Sequence, residues 1–275
     1  MGTHADRVYD LLARSEGDYF PISSHPLVGG DIDGSVQATI SGQLAIGLDA
    51  SALLHFVRAQ NSSDIIDKLN VFQGIIIVPP QAIQEFWNNI SSQASDPVSK
   101  IHKSIESLIA TEERRISQGL PRSDSDVDIF LSWKEAIEGY MTERRGIDSA
   151  DIRDAAKSLI ELIRDRASTP SVPSVKFMPL AEVRHAIKSP PGFKDPARRH
   201  GDFFVWSEFL VGLSIADESA AESDRKVTFV SGDKKADWLV AGLPHPVLSA
   251  EVYNLVQGDL RILEPDAFVR ALLRS

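Results

Sequence analysis

Apolar positions along the chain follow two patterns. Short unalternating runs suit strands covered on both faces, and apolar residues three and four apart suit helices. Leu44-Ala45-Ile46-Gly47-Leu48 is a short apolar run ending at Asp49, and from Ser51 the positions Leu53, Leu54, Phe56 and Val57 take helical spacing. Gly74-Ile75-Ile76-Ile77-Val78 is the strongest strand; Pro79-Pro80 stops it, and residues 81–90 form the next helix. Residues 95–119, 126–140 and 149–168 read as helices separated by loops, and residues 175–178 as a further strand. A Pro-, Gly-, Lys- and Arg-rich loop spans 189–201, and Asp202 opens a helix, 203–215, apolar nearly all round and therefore buried. Lys226-Val227-Thr228-Phe229-Val230 is a strand that runs into Ser231-Gly232-Asp233. A helix near 249–256, a strand near 260–263 and a helix from Pro265 complete the chain.

This alternation predicts an α/β domain over residues 44–275, with a doubly wound, mostly parallel central sheet. A long helical insertion is expected at about 95–168. Residues 1–43 read as a partly irregular N-terminal extension: a short helix, 5–14, then a Gly-, Ser- and Pro-rich loop, 21–42.

Composition narrows the chemistry. The 275 residues are 43% apolar and 25% charged, enough for one large domain with a full core. There is no cysteine, which removes disulfides, zinc–thiolate sites and thiol nucleophiles. No stretch approaches the roughly 18 apolar residues of a membrane span, and the early acids Asp6 and Asp10 do not fit a secretion signal, so a cytoplasmic protein is expected. The net charge of −10 argues against a broad phosphate-binding surface and leaves room for a local basic rim around an acidic centre.

Four acids stand at strand ends or helix starts. Asp49 follows the first strand, Asp233 follows the Val230 strand after a short turn, Glu85 lies in the second turn of the helix after Pro80, and Asp202 caps or begins the buried helix. Ligands of open α/β sheets bind beyond the carboxyl ends of the strands, so all four can converge on one crevice. Clustered carboxylates repel unless a cation joins them, and hard oxygen donors favour Mg²⁺ or Mn²⁺. Such ions activate water and polarise phosphate, so phosphodiester hydrolysis is the expected reaction. Taken singly each acid has a plainer reading: Asp49 and Asp202 as helix caps, Glu85 as a solvated helix residue, Asp233 as a turn residue.

The stretches Ile46-Gly47-Leu48-Asp49-Ala50-Ser51-Ala52-Leu53-Leu54 and Val78-Pro79-Pro80-Gln81-Ala82-Ile83-Gln84-Glu85-Phe86-Trp87 resemble the PIN-domain superfamily. Pro191-Gly192-Phe193-Lys194-Asp195, Gly201-Asp202-Phe203-Phe204-Val205-Trp206, Phe229-Val230-Ser231-Gly232-Asp233-Lys234-Lys235-Ala236-Asp237-Trp238 and Leu263-Glu264-Pro265-Asp266-Ala267-Phe268 resemble a PIN-like nuclease branch of bacterial proteins. The resemblance implies a Mg²⁺- or Mn²⁺-dependent nuclease, most often a ribonuclease. Asp49, Glu85, Asp202 and Asp233 fall on its acidic metal-site positions, Asp237 on a further acidic position and Ser231 on a supporting hydroxyl. It also implies an RNA substrate before a DNA one, and a homodimer or partner protein. The long insertion argues against a compact toxin-type ribonuclease. A flap-endonuclease-like DNA nuclease and a catalytically silent PIN scaffold are the competing readings.

Lys194, Arg198 and Arg199 lie in the loop before Asp202, and Lys234 and Lys235 follow Asp233; these five are expected to hold phosphates around the acidic centre. Asp195 is expected to pair with Arg198. Trp206 and Trp87 are expected in the core, while Trp238 is a candidate for stacking on a base. The stretch Asp49-Ala50-Ser51 lacks the Asp-x-Asp of haloacid-type phosphatases, and no phosphate-binding glycine loop occurs.

Overall fold

The computed structural model describes residues 3–14, 42–93, 97–119, 123–144, 149–196, 199–218 and 225–274. Most of the predicted loop at 21–42, and Arg198, lie outside them. The chain forms two compact units, Met1–Phe86 with Ala155–Ser275, and Trp87–Asp154.

The described elements run α1 (His4–Ala13), β1 (Gln43–Leu48), α2 (Ala50–Arg58), α3 (Ser62–Asn70), β2 (Ile75–Ile77), α4 (Pro80–Gln93), α5 (Pro97–Ser117), α6 (Asp124–Arg144) and α7 (Ser149–Arg166). They continue with β3 (Ala167–Ser168), α8 (Ser174–Ala186), α9 (Gly201–Asp217), β4 (Lys226–Val230), β5 (Leu239–Val240), β6 (Leu243–Pro244), α10 (Pro246–Val256), β7 (Asp259–Leu263) and α11 (Pro265–Arg274). Five parallel strands form one sheet in the order β3-β2-β1-β4-β7. The chain winds outward from β1 in one direction through β2 and β3, then returns to the other side of β1 for β4 and β7. This is a doubly wound α/β sheet. Its order reverses between β1 and β4, the place where such sheets bind ligands.

Strand side chains alternate between faces. Ala45, Ile77, Val227 and Phe229 enter the core formed with Phe203, Trp206, Phe209 and Leu210 of α9. Their neighbours Ile46, Leu48, Ile76 and Val230 are buried too, and Phe56 of α2 stacks on Phe268 of α11 with centroids 5.8 Å apart. Two glycines let α9 lie close on the sheet: a Cβ at Gly47 would stand 2.5 Å from the Phe209 ring, and one at Gly212 would stand 2.6 Å from Ile77 Cγ2. Gly47→Ala is therefore expected to destabilise the fold by about 1–3 kcal/mol through overpacking. Urea unfolding compares the midpoints; an unchanged midpoint would mean that α9 is free to move outward.

Several expectations change. Residues 175–178 are helical, inside α8: Phe177, Leu180, Ala181 and Arg184 share its buried face, while Val175 is 90% exposed. The edge strand is instead β3, two residues long at the end of the 149–168 region. Helix α1 belongs to the first unit's core, with Val8 and Leu12 buried. Trp87 is 51% exposed rather than core. The second unit carries α5 and α6, where Lys134 pairs with Glu113 at 2.6 Å. Among the described residues no helix is long and apolar enough to cross a membrane.

Candidate functional site

The site is built where β1 and β4 end. The Asp49 amide donates to the Val230 carbonyl (3.1 Å), so the residue after β1 is stitched to the end of β4, and the Ser231 amide donates to Leu263 of β7 (3.0 Å). Asp49 is the N-cap of α2. Its carboxylate accepts the Ala50 N–H at 2.7 Å and the hydroxyls of Ser51 at 2.9 Å and Ser231 at 2.8 Å. Cap and cluster member are thus one residue. Burial raises the Asp49 pKa above the ordinary value despite these bonds, and repulsion from Asp233 adds to the rise.

Glu85 arrives one turn into α4, where Gln81 Nε2 donates to it at 2.8 Å. Burial raises its pKa, and the charges of Asp49 and Asp195 raise it further. Gly201, the first residue of α9, makes room for it: a Cβ there would stand 2.5 Å from Glu85 Oε1. Asp202 follows in the first turn of α9, whose N-cap is His200, so of the two expected placements it begins the helix and does not cap it. The Asp202 pKa is pushed up to about 7, by burial first and then by Asp195.

Lys235 sits at the centre of the group. Its Nζ lies 2.6 Å from Asp195 Oδ1, 3.1 Å from Asp202 Oδ2 and 2.8 Å from Asp233 Oδ2. The Lys235 amide donates to Asp233 Oδ1 at 2.8 Å, an Asx turn that folds the side chain back toward the carboxylates. Burial alone would lower the lysine pKa, but the bonds to Asp195 and Asp233 and the charge of Asp202 hold it well above the ordinary value. Lys235, expected to hold phosphate, thus sits among the carboxylates with its side chain 38% exposed, and Asp195 pairs with it across 40 residues. Lys234 points away and pairs with Glu264 at 2.8 Å. Lys194 and Arg199 are exposed.

Asp237 stands two residues beyond Lys235. It is fully buried, and its Oδ2 accepts the amides of Gly192 at 2.9 Å and Lys194 at 3.2 Å. It fixes the loop that delivers Asp195. Trp238 is buried, lies parallel to Phe229 with centroids 5.2 Å apart, and donates its Nε1–H to Asp202 Oδ2 at 3.1 Å. It orients an acid and does not stack on a base. Trp206 is core, as expected.

A family model for the PIN-like domain matches residues 45–243, well over half of the chain. The chain belongs to the PIN-like domain family. That family is generally one of nucleases. The match covers the positions of Asp49, Glu85, Asp202 and Asp233. Comparisons with curated proteins and with solved structures found no match.

PIN-like nucleases typically use divalent ions, and the donor chemistry here fits one. The cluster is carboxylate oxygen throughout, with hydroxyls beside Asp49, and burial and mutual repulsion already penalise its negative charge. Among the described residues, however, no three acids or histidines stand close enough to form a ready chelate. Lys235 lies between three of the carboxylates instead.

Glu208 is a residue the sequence reading passed over. It is buried in α9, and its Oε2 accepts the Gln81 amide at 2.8 Å, tying down the start of the helix that carries Glu85. The signal was present as an acid in the middle of an apolar helix. Burial pushes its pKa up to about 7, against opposing bonds from the Gln81 and Val172 amides. An acid with a raised folded pKa binds its proton more readily folded than unfolded. Its contribution to stability therefore grows as pH falls through about 7 and is complete near the ordinary value of 4.5. Urea unfolding at about pH 8 and about pH 5.5 should show Glu208→Gln lacking about 1–3 kcal/mol of the wild-type pH response. Equal responses would mean that Glu208 stays ionised throughout.

Proposed function

We propose that this PIN-like domain is a divalent-metal-dependent nuclease that hydrolyses phosphodiester bonds in single-stranded or structured RNA. The observation that carries this reading is the gathering of Asp49, Glu85, Asp202 and Asp233, with Asp195, at the switch point of the sheet in a chain of this family. Asp49 and Glu85 would hold Mg²⁺ or Mn²⁺, with Asp202 and Asp233 beside them. When bound, the ion supplies an activated water and neutralises charge on the phosphate.

The chain's own groups do the positioning. Ser51 and Ser231 fix the Asp49 carboxylate, Gln81 fixes Glu85, and Trp238 and Lys235 fix Asp202. Held this way, the carboxylates need little reorganisation when charge develops on the reacting phosphate. Lys194 and Arg199, both exposed, are suited to hold flanking phosphates. Replacing both by Ala should weaken RNA binding and reduce the salt slope by roughly 1 for each phosphate that is no longer neutralised. Fluorescence titrations at several salt concentrations would measure this, and an unaltered slope would leave both side chains as solvated loop residues.

A catalytically silent scaffold is the second reading, favoured by the lysine already seated among the acids. Incubating the purified protein with labelled single-stranded RNA, duplex RNA and single-stranded DNA separates the two. The nuclease reading expects Mn²⁺-dependent cleavage of RNA that EDTA stops. Cleavage of DNA alone would move the substrate class, and intact substrates throughout would favour the scaffold.

A further inference from the structure

The three contacts of Lys235 divide the acidic centre into two parts of different character. Around its ammonium stand Asp195, Asp202 and Asp233, each with an oxygen within 3.1 Å. The lysine side chain is 38% exposed, yet its Nζ reaches all three carboxylates, and its own amide is tied to Asp233. The partners also come from three separate segments: the loop fixed by Asp237, the start of α9 and the turn after β4. Asp49 differs. Its hydrogen bonds come from a backbone N–H and two hydroxyls, all neutral. The ammonium therefore contacts Asp195, Asp202 and Asp233 directly, whereas the Asp49 carboxylate itself is held by neutral donors.

We infer that Lys235 serves as a resident cation in place of a second metal ion, so that the domain takes a single divalent ion, on the Asp49 side. This rests on the metal-dependent reading above. An ammonium on three carboxylates neutralises part of their repulsion and holds them in place before any ion arrives. It also denies the same oxygens to a metal, since a divalent ion and an ammonium at that spot would repel. Lys235 is a positioning residue in this account: it acts through the carboxylates and need not touch the substrate.

The readout is the number of ions bound, which a purely structural lysine would not change. Mn²⁺ binding to the purified full chain is counted by isothermal calorimetry. Wild type should bind one ion per chain. Lys235→Met should bind two, melt lower than wild type without metal and gain more from Mn²⁺. Lys235→Arg keeps the charge and should stay at one. Should Lys235→Met fold only with Mn²⁺ present, its metal is counted by elemental analysis after gel filtration, with the same outcomes.

Two ions in wild type, one in Lys235→Met, or two in Lys235→Arg would each overturn the inference while leaving the metal-dependent reading in place. No ion bound by wild type would overturn the metal-dependent reading, and this inference with it.

Discussion

Glu251→Ala is expected to cost about 3–5 kcal/mol, the largest loss of stability expected from any single change, because it leaves a buried guanidinium without its counter-charge. The Glu251 carboxylate is fully buried in α10, accepts Arg184 Nη2–H at 2.8 Å and accepts Trp206 Nε1–H at 2.6 Å. Arg184 is itself only 2% exposed and also donates to the carbonyls of Leu12 and Pro190. One pair thus joins α1, α8, α9 and α10 and anchors the loop leading to Asp195. Urea unfolding of Glu251→Ala beside Glu251→Gln and the double change Arg184→Met/Glu251→Leu would measure the effect. The double change should be much milder, since replacing both partners by apolar residues leaves no unpaired charge. If Glu251→Ala costs less than about 1 kcal/mol, water reaches Arg184 and the network does not organise the loop.

The second large effect concerns catalysis. Asp49→Asn is expected to lower nuclease turnover by on the order of 10²-fold or more, the scale seen when a group that stabilises developing charge is removed. It should do so without unfolding the domain. The amide oxygen can still cap α2, and loss of the charge relieves the repulsion that Asp49 exchanges with Asp233 and Glu85. Metal-free Asp49→Asn should therefore melt at or above the wild-type temperature. Its gain on adding Mn²⁺ should be much smaller, because only an ion that binds the folded state shifts the equilibrium. Asp49→Ala is the control for the cap. It should lose roughly 1 kcal/mol and strand the Ser51 and Ser231 hydroxyls. If both variants keep the full Mn²⁺ shift, Asp49 is a helix cap and nothing more.

Much of the fold was legible because a buried parallel sheet writes itself as unalternating apolar runs. β1, β2, β4 and the apolar helix α9 carry that signature over nearly their whole length, and the four acids then fall at the sheet rim by position alone. The errors have physical causes. Val175–Met178 has strand-like composition, yet Phe177, Leu180, Ala181 and Arg184 recur at helical spacing, and burial of that face decides the outcome. β3 is two residues long, too short for any periodicity. Trp87 looked like core because it is large and apolar, but α4 turns it outward at the start of the second unit. Within the site, what stayed hidden was direction. Whether Lys235 faces phosphate or carboxylate depends on the Asx turn at Asp233, and its partner Asp195 is far away in sequence. Asp237 carries the same charge as Asp233, but two backbone amides claim it.

The most direct test of the account follows cleavage of one end-labelled single-stranded RNA by wild type, Asp49→Asn and Asp202→Asn, with Mn²⁺ and then with excess EDTA. Circular dichroism confirms that each variant is folded. The account predicts that wild type cleaves with Mn²⁺ and stops on chelation, and that both variants are slower by on the order of 10²-fold or more. Folded variants that cleave as fast as wild type, or wild-type cleavage that EDTA leaves untouched, would contradict it.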